Sequence, residues 1–274
     1  MQCSDKFNHY SVLCKNQNNS LKTLYLSQRI PYPPNKGEKI RTFHQIKYLL
    51  DHDHDIFLCC PYSSDDELEL FKQFTDRYGV HTQQSKLGSK VLRYFSGMVS
   101  HKALSISNFY SLRLQKIIDQ LISNESFQNI VCTSSSMAEY IFNSSTLPIS
   151  KNRPKLIMDF MDLDSDKWRQ YSRSSTFPMK WIYKREAELL AKYEHNIYHF
   201  FDTCFFISQA EVDLFCQNNE CTEKPLAIGN GIENEYFTPA IHPPDNDGPV
   251  FIFTGVMDYK PNIDSVLWFA NNIW

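Results

Sequence analysis

The sequence predicts an α/β fold, an open parallel sheet with helices on both faces. Two observations carry that expectation. Short apolar runs alternate along the chain with longer segments whose apolar residues recur at a period near 3.6. The loops rich in proline, serine or aspartate each follow an apolar run and precede a helical segment. In an open parallel sheet, that carboxyl edge is where ligands sit.

The elements follow in order. Leu21–Leu26 is a strand, and Glu38–Leu50 a helix with Ile40, Phe43, Ile46, Leu49 and Leu50 along one face. Asp55–Cys60 is the next strand. Asp65–Arg77 is a helix that Ser64 is placed to cap. Val80–Gln84 is a short strand, and Leu87–Val99 and Asn108–Ile122 are helical. Asn129–Cys132 is a strand running into Thr133-Ser134-Ser135-Ser136 and a helix, Met137–Phe142. Lys155–Phe160 is a strand followed by an acidic loop. Pro178 opens a long helix to about Phe201, with Ile182, Leu189, Leu190, Tyr193, Ile197 and Phe200 facing inward. Thr203–Ile207, Gln209–Cys216 and Leu226–Ile228 complete the series as strand, helix and strand, ending in Gly229-Asn230-Gly231.

The stretch from Ser27 to Arg41 stands out. Pro31, Pro33 and Pro34 forbid a ladder or a helix between strand and helix, so the loop must be fixed and extended. Gly37 falls at the helix entry, where a missing Cβ lets a ligand approach the backbone. A helix start also offers unpaired N–H groups and the positive end of the macrodipole. Lys36, Lys39 and Arg41 add full charges, which makes an anion site. The alternative is a proline-stiffened crossover whose cations are only solvated. The loop alone leaves both readings open.

Composition narrows the class. A chain of 274 residues exceeds one ordinary core, so one large or two smaller domains are expected. A net charge of -3 argues against a general nucleic-acid binder. No run approaches the length of a membrane span. Residues 1–21 are polar and lack the apolar core of a signal peptide, so they are expected to be a loose tail. Eight cysteines include no CxxC pair, and Cys59, Cys60, Cys132 and Cys204 fall inside strand-like runs. They read as buried thiols of a reducing, cytoplasmic compartment and not as a disulfide or zinc framework.

A first domain is expected over 22–237 and a proline-rich linker over 238–249. The pattern then restarts, with Val250–Phe253 as a buried strand, a loop through Asn262, and Ile263–Ile273 as a helix turning Val266, Leu267, Phe269, Ala270 and Ile273 inward. A single strand and helix cannot bury a core. The unit at 250–274 is therefore expected to pack back on the first domain or to begin a second domain that the sequence cuts short.

The acidic stretch invites metal readings. Asp162, Asp164 and Asp166 match the first half of a calcium loop, but Lys167 holds the glycine position and Arg173 the final glutamate position, so that reading fails. A divalent ion bridging a diphosphate through Asp162 and Asp164 is short and unspecific. The competing reading is carboxylates paired with Lys167 and Arg169. Ser134–Ser136 lack the GxSxG of a hydrolase elbow.

Several segments together resemble the family 4 glycosyltransferases. The nearest pattern is the sugar-transferase subfamily associated with the exosortase (PEP-CTERM) system and exopolysaccharide clusters. The segments are Arg29-Ile30-Pro31-Tyr32-Pro33-Pro34 with Gly37, Lys39 and Arg41, the run from Asp159 to Tyr171, and Trp181-Ile182-Tyr183 with Arg185-Glu186. Asn230-Gly231-Ile232, Phe253-Thr254-Gly255, Met257-Asp258-Tyr259, Pro261-Asn262 and Trp268-Phe269 continue the match in the same order. Gly229 and Glu233 stand where that family usually has proline and aspartate.

The resemblance implies two Rossmann-like domains facing across a cleft (the GT-B arrangement), with the second largely beyond Trp274. It implies retaining transfer of a sugar from a nucleotide-diphosphate sugar to a glycan or lipid-linked acceptor, in the cytoplasm with peripheral contact to the inner membrane. No cofactor or metal is implied. Gly37, Gly255 and Lys39 would meet the donor diphosphate. Asp162 would hold the acceptor hydroxyl or steady the oxocarbenium-like centre, while Arg29, Arg41 and Asp164 would serve the acceptor or the loop. The opposing reading is a non-catalytic remnant or binding module that keeps an anion or glycan site without the donor half.

Overall fold

A computed structural model of the chain describes residues 20–147, 153–223, 225–231, 248, 250–257 and 260–274. The chain divides into two compact units, one ending at Gly231 and the other running from Ile232 to Trp274. The tail expected over 1–21 lies outside the described residues except for its last two. So does the linker at 238–249 except Gly248.

The first unit is built on β1 (Lys22–Ser27), α1 (Gly37–Leu50), β2 (Asp55–Tyr62), α2 (Asp65–Tyr78), β3 (His81–Lys86), α3 (Lys90–Val99), α4 (Leu104–Asn108) and α5 (Leu112–Asn124). It continues with β4 (Asn129–Thr133), a 3-10 turn, α6 (Ala138–Phe142), β5 (Lys155–Met161), α7 (Asp164–Arg173), α8 (Met179–Phe200), β6 (Thr203–Phe206), α9 (Gln209–Asn218) and β7 (Leu226–Ala227). The seven strands form one sheet in the order β3-β2-β1-β4-β5-β6-β7, and every pairing is parallel. This is the doubly wound, Rossmann-like α/β architecture, with its topological switch point between β1 and β4.

The strand residues explain the sheet. Leu24 and Leu26 point into a cluster with Cys132, Ile130, Met158, Ile118 and Ile197. Tyr25, between them, points to the opposite face with Leu58, Val131, Phe43 and Phe74. Period-2 alternation into two apolar cores is why these strands read as continuous hydrophobic runs. Each fully buried leucine contributes roughly 1.5–3 kcal/mol. α2 is delimited as its sequence dictates: Ser64 and Glu67 form a capping box, and Gly79 ends the helix at φ 68. The buried positions of Cys59, Cys60, Cys132 and Cys204 also follow the sequence expectation, while Cys216 and Cys221 are half-buried thiols with sulfurs 2.7 Å apart.

Three expectations need correction. The helix anticipated over 108–122 starts later, as α5 at Leu112, because Ser111 caps that start by accepting from Leu114 N–H, and the short helix α4 ends where it was expected to begin. The acidic loop is mostly helix: Asp164 and Asp166 lie in the first turn of α7, where the macrodipole favours carboxylates. Val250–Phe253 is not a strand, and all four side chains are exposed. A strand needs a partner, and the described residues of the second unit supply only the helix α10 (Lys260–Asn272). On α10, Val266 and Phe269 are half-buried, whereas Leu267, Ala270 and Ile273 face solvent. Among the described residues no helix is long and apolar enough to cross a membrane.

Candidate functional site

The carboxyl ends of β1, β4 and β5 are adjacent in the sheet, so the loops that follow them share one edge. At the switch point lies a crevice of about 20 Å³, room for a single water, lined by Gln28, Arg29, Lys39, Ser134 and Met161 among others. Gln28 bridges it, donating from Nε2 to Ser136 Oγ at 3.0 Å and Ser134 Oγ at 3.3 Å. Two of the lining residues, Ser134 and Met161, have positive φ of 73 and 65. Neither is glycine, so each stores about 1–3 kcal/mol of strain. That cost falls on the ligand edge. Ser134 Oγ is engaged by an amide and a hydroxyl, not by the imidazole that a serine nucleophile needs.

The proline loop is held as the sequence requires. Ile30 is buried, and the Tyr32 ring packs against Phe74 and Tyr78 with centroids 6.0 and 6.2 Å apart. Gly37 is the first residue of α1, no side chain caps that helix, and a Cβ at Gly37 would meet nothing within 4 Å. The backbone is thus open to an incoming group. Lys39 is half-buried and donates to Tyr32 O at 3.3 Å; burial pushes its ammonium below the ordinary lysine range. Arg29 is exposed and faces Glu38 at 3.5 Å, an ion pair worth at most about 1 kcal/mol in water.

Arg41 makes a structural clamp, one of the roles that the sequence left open for it. Its guanidinium is buried and grips Asp159 through two bonds, Nε to Oδ2 at 2.7 Å and Nη2 to Oδ1 at 3.1 Å. Nη1 donates to Ile228 O at 2.6 Å and Asn230 Oδ1 at 3.3 Å. It is a clamp between α1, β5 and the end of β7. Gln45, one turn on, also donates to Asp159, at 2.7 Å. Asp159 in turn accepts from Met161 N–H at 3.2 Å, supporting the strained residue of the crevice.

Asp162 follows Met161 directly, accessible to solvent at one side and partly enclosed at its carboxyl. Desolvation first and Asp164 second raise its carboxyl above the usual range, with Lys167 and Arg41 opposing. Asp164 is paired with Lys167, and Asp166 with Arg169 at 3.0 Å, which is the ion-pair reading of the acidic stretch. Gly255, in the second unit, makes room for its own loop: a Cβ there would lie 2.8 Å from Asn262 Nδ2, and that amide donates to Val256 O at 2.9 Å.

Two glutamates of α8 have structural roles that the sequence reading did not assign, although Glu186 stands in one of the matched segments. Glu186 accepts from Leu104 N–H and Ser105 N–H, both at 2.7 Å, and so caps α4. Glu194 accepts from Ser165 N–H at 3.0 Å at the start of α7, inside a cleft of about 470 Å³ that His195 and Asn219 also line. Burial lifts the Glu194 carboxyl to about 8. The available signal was two acids on the apolar face of a helix.

No family model matches the chain, and no curated protein matches it. Among solved structures, a carbohydrate kinase from Agrobacterium tumefaciens aligns at 9% identity and TM-score 0.38, over 71% of this chain and 63% of that one. The N-terminal domain of a trehalose-6-phosphate phosphatase from Candida albicans aligns at 11% identity and TM-score 0.39, over 74% of this chain and 44% of that one. The chain therefore spans less than two thirds of either protein that it is similar to.

Proposed function

We propose that the first unit is the acceptor-side domain of a retaining, hexosyltransferase-type glycosyltransferase. Its donor is a nucleotide-diphosphate sugar, its acceptor a glycan or lipid-linked glycan, and its setting the cytoplasm at the inner membrane during surface-polysaccharide synthesis. The observation that carries the reading is the uncapped start of α1 at the switch point, with open space at Gly37 and Lys39 and Arg29 beside it. Backbone N–H groups and the helix dipole there stabilise negative charge developing on a departing diphosphate. Asp162, a carboxylate with a raised pKa on the neighbouring loop, is placed to orient or deprotonate a hydroxyl.

These 274 residues alone are expected to be inactive for want of a donor-binding half. The test, on the chain joined to a donor-binding domain, is therefore transfer from uridine, guanosine and thymidine diphosphate sugars to membrane lipid extract, with Gly37→Val as the matched control. Transfer that Gly37→Val abolishes supports the reading. Equal transfer by both overturns the site. Diphosphate binding at Gly37 with no transfer of any sugar favours the non-catalytic module.

A further inference from the structure

Helix α3 is amphipathic in the reverse sense. Its buried residue is Gly97, where a Cβ would come within 2.7 Å of Ser107 Oγ on α4. Its polar Arg93 also turns inward, donating to Gly88 O and, at 3.1 Å, to Asn108 Oδ1. The apolar side chains go the other way: Leu92 and Phe95 are each 67% exposed, and Val91 and Val99 are exposed with them. A helix normally buries such a stripe.

The start of α8 continues this surface. Arg185 Nη2 donates to Gly97 O at 3.3 Å and Lys102 O at 3.2 Å, which ties α8 to the end of α3. Trp181 lies one turn before Arg185 on the same helical face and is 53% exposed, and Phe177 just ahead of α8 is 84% exposed. Exposed aliphatic and aromatic side chains on two elements tied together in this way are the kind of surface that marks a docking site.

Charge decides what docks. From Arg77 to Lys116 the chain has seven Lys and Arg and no Asp or Glu; from Lys167 to Arg185 it has six and none. These two acid-free segments, in a chain of net charge -3, are the ones that carry the apolar patch. Lys90 and Lys180 are exposed beside it, and Lys184 is only loosely paired, 3.9 Å from Glu188. Aromatic and aliphatic side chains with lysines at their margin are the chemistry of a helix lying in the headgroup layer of an anionic bilayer.

We infer that α3 and the start of α8 form a membrane-docking face that inserts Leu92, Phe95 and Trp181 among anionic lipids. α3 follows β3, so this face leaves the sheet at the same carboxyl edge as the crevice. The surface stands whether or not the crevice transfers sugar, and its test needs no sugar.

Co-sedimentation of the full 274-residue chain with vesicles of phosphatidylcholine, with and without about 30% phosphatidylglycerol, tests it. Binding to the anionic vesicles is expected, and it should weaken in roughly 0.5 M salt. L92S/F95S should lower the partition by about tenfold or more at unchanged helicity and melting temperature, since both side chains are already in solvent. K90E/K180E should remove the preference for anionic lipid. No binding to the anionic vesicles, or equal binding by L92S/F95S, overturns the inference. So does a wild-type dimer that L92S/F95S converts to monomer without altering vesicle binding, because the occupant is then a second copy.

Discussion

Arg41 and Asp159 meet through a two-pronged contact sealed from water, with the guanidinium 2.7 and 3.1 Å from the carboxylate oxygens. The pair joins the first helix to the fifth strand and stands directly behind the strained residue Met161. Its role is to hold the crevice in shape.

Removing one partner leaves the other charged and buried, which costs on the order of 3–5 kcal/mol. Arg41→Leu and Asp159→Leu are each expected to lower the urea midpoint sharply. The Arg41→Leu/Asp159→Leu double variant should lose much less than the sum of the two. Additive losses would show that the two side chains act independently.

Gly37→Val should leave stability within about 1 kcal/mol of wild type, because the added methyls enter open space. In the chain joined to a donor-binding domain, it should nevertheless abolish sugar transfer. A melting temperature lowered by many degrees would instead assign Gly37 a packing role.

The Glu194 carboxyl titrates near 8 in the folded protein, against an ordinary value of 4.5. The folded state therefore holds this proton more tightly than the unfolded state. The resulting stability is fully present below the unfolded value and is lost as pH rises from about 4.5 to about 8. Glu211, also raised by burial, acts in the same direction. Glu194→Gln keeps an oxygen for Ser165 N–H and removes the charge. Urea titrations between these limits should find the variant the more stable form above pH 8 by a few kcal/mol, since the wild type loses about 1.4 kcal/mol for each pH step between the two values. A wild type whose stability is flat across that window would contradict the burial of this carboxyl.

In the same joined chain, Asp162→Asn should cut turnover at least about a hundredfold, the usual scale of general acid–base help. Asp166→Asn, which breaks an ion pair with Arg169, should cost stability of under about 1 kcal/mol and little turnover. Activity is expected to survive excess chelator. Strict dependence on magnesium or manganese would move Asp162 and Asp164 to the role of metal ligands.

The crevice alone is expected to bind a diphosphate only weakly. One helix start with flanking cations is worth about 1–2 kcal/mol toward an exposed anion, whereas millimolar affinity already needs roughly 4 kcal/mol. Calorimetry of the 274 residues with nucleotide-diphosphate sugars should detect nothing tighter than millimolar. A micromolar constant would mean that this chain contains a donor site of its own.

The strands were legible because burial on both faces leaves a continuous apolar signature, as in Leu24, Tyr25 and Leu26. Helix α7 was not, since four acidic residues between Asp159 and Asp166 carry no apolar period; its start is fixed by Glu194, 29 residues away. Gly37 was visible as a glycine after prolines. The direction of Arg41 was not, because sequence shows a cation beside the loop but not that Arg41 and Gln45, one turn apart, both point to Asp159. The exposed stripe of α3 illustrates the same limit: its apolar period is plain, and which side it turns to the protein depends on Gly97 meeting α4.

The switch point also sets a timetable for synthesis. β1 pairs with β2 on one side and with β4 on the other, Leu24 lying opposite Ile130. While the chain is being made, β1 leaves the ribosome about a hundred residues before its second neighbour exists, a wait of roughly five to twenty seconds at ordinary elongation rates. During that interval its edge is open and apolar, and the half sheet β1-β2-β3 is a natural client for a chaperone. The strand pairing that creates the crevice must thus wait for β4, after β1-β2 and β2-β3 can already have formed, and it spans a longer stretch of chain than any other pairing in the sheet.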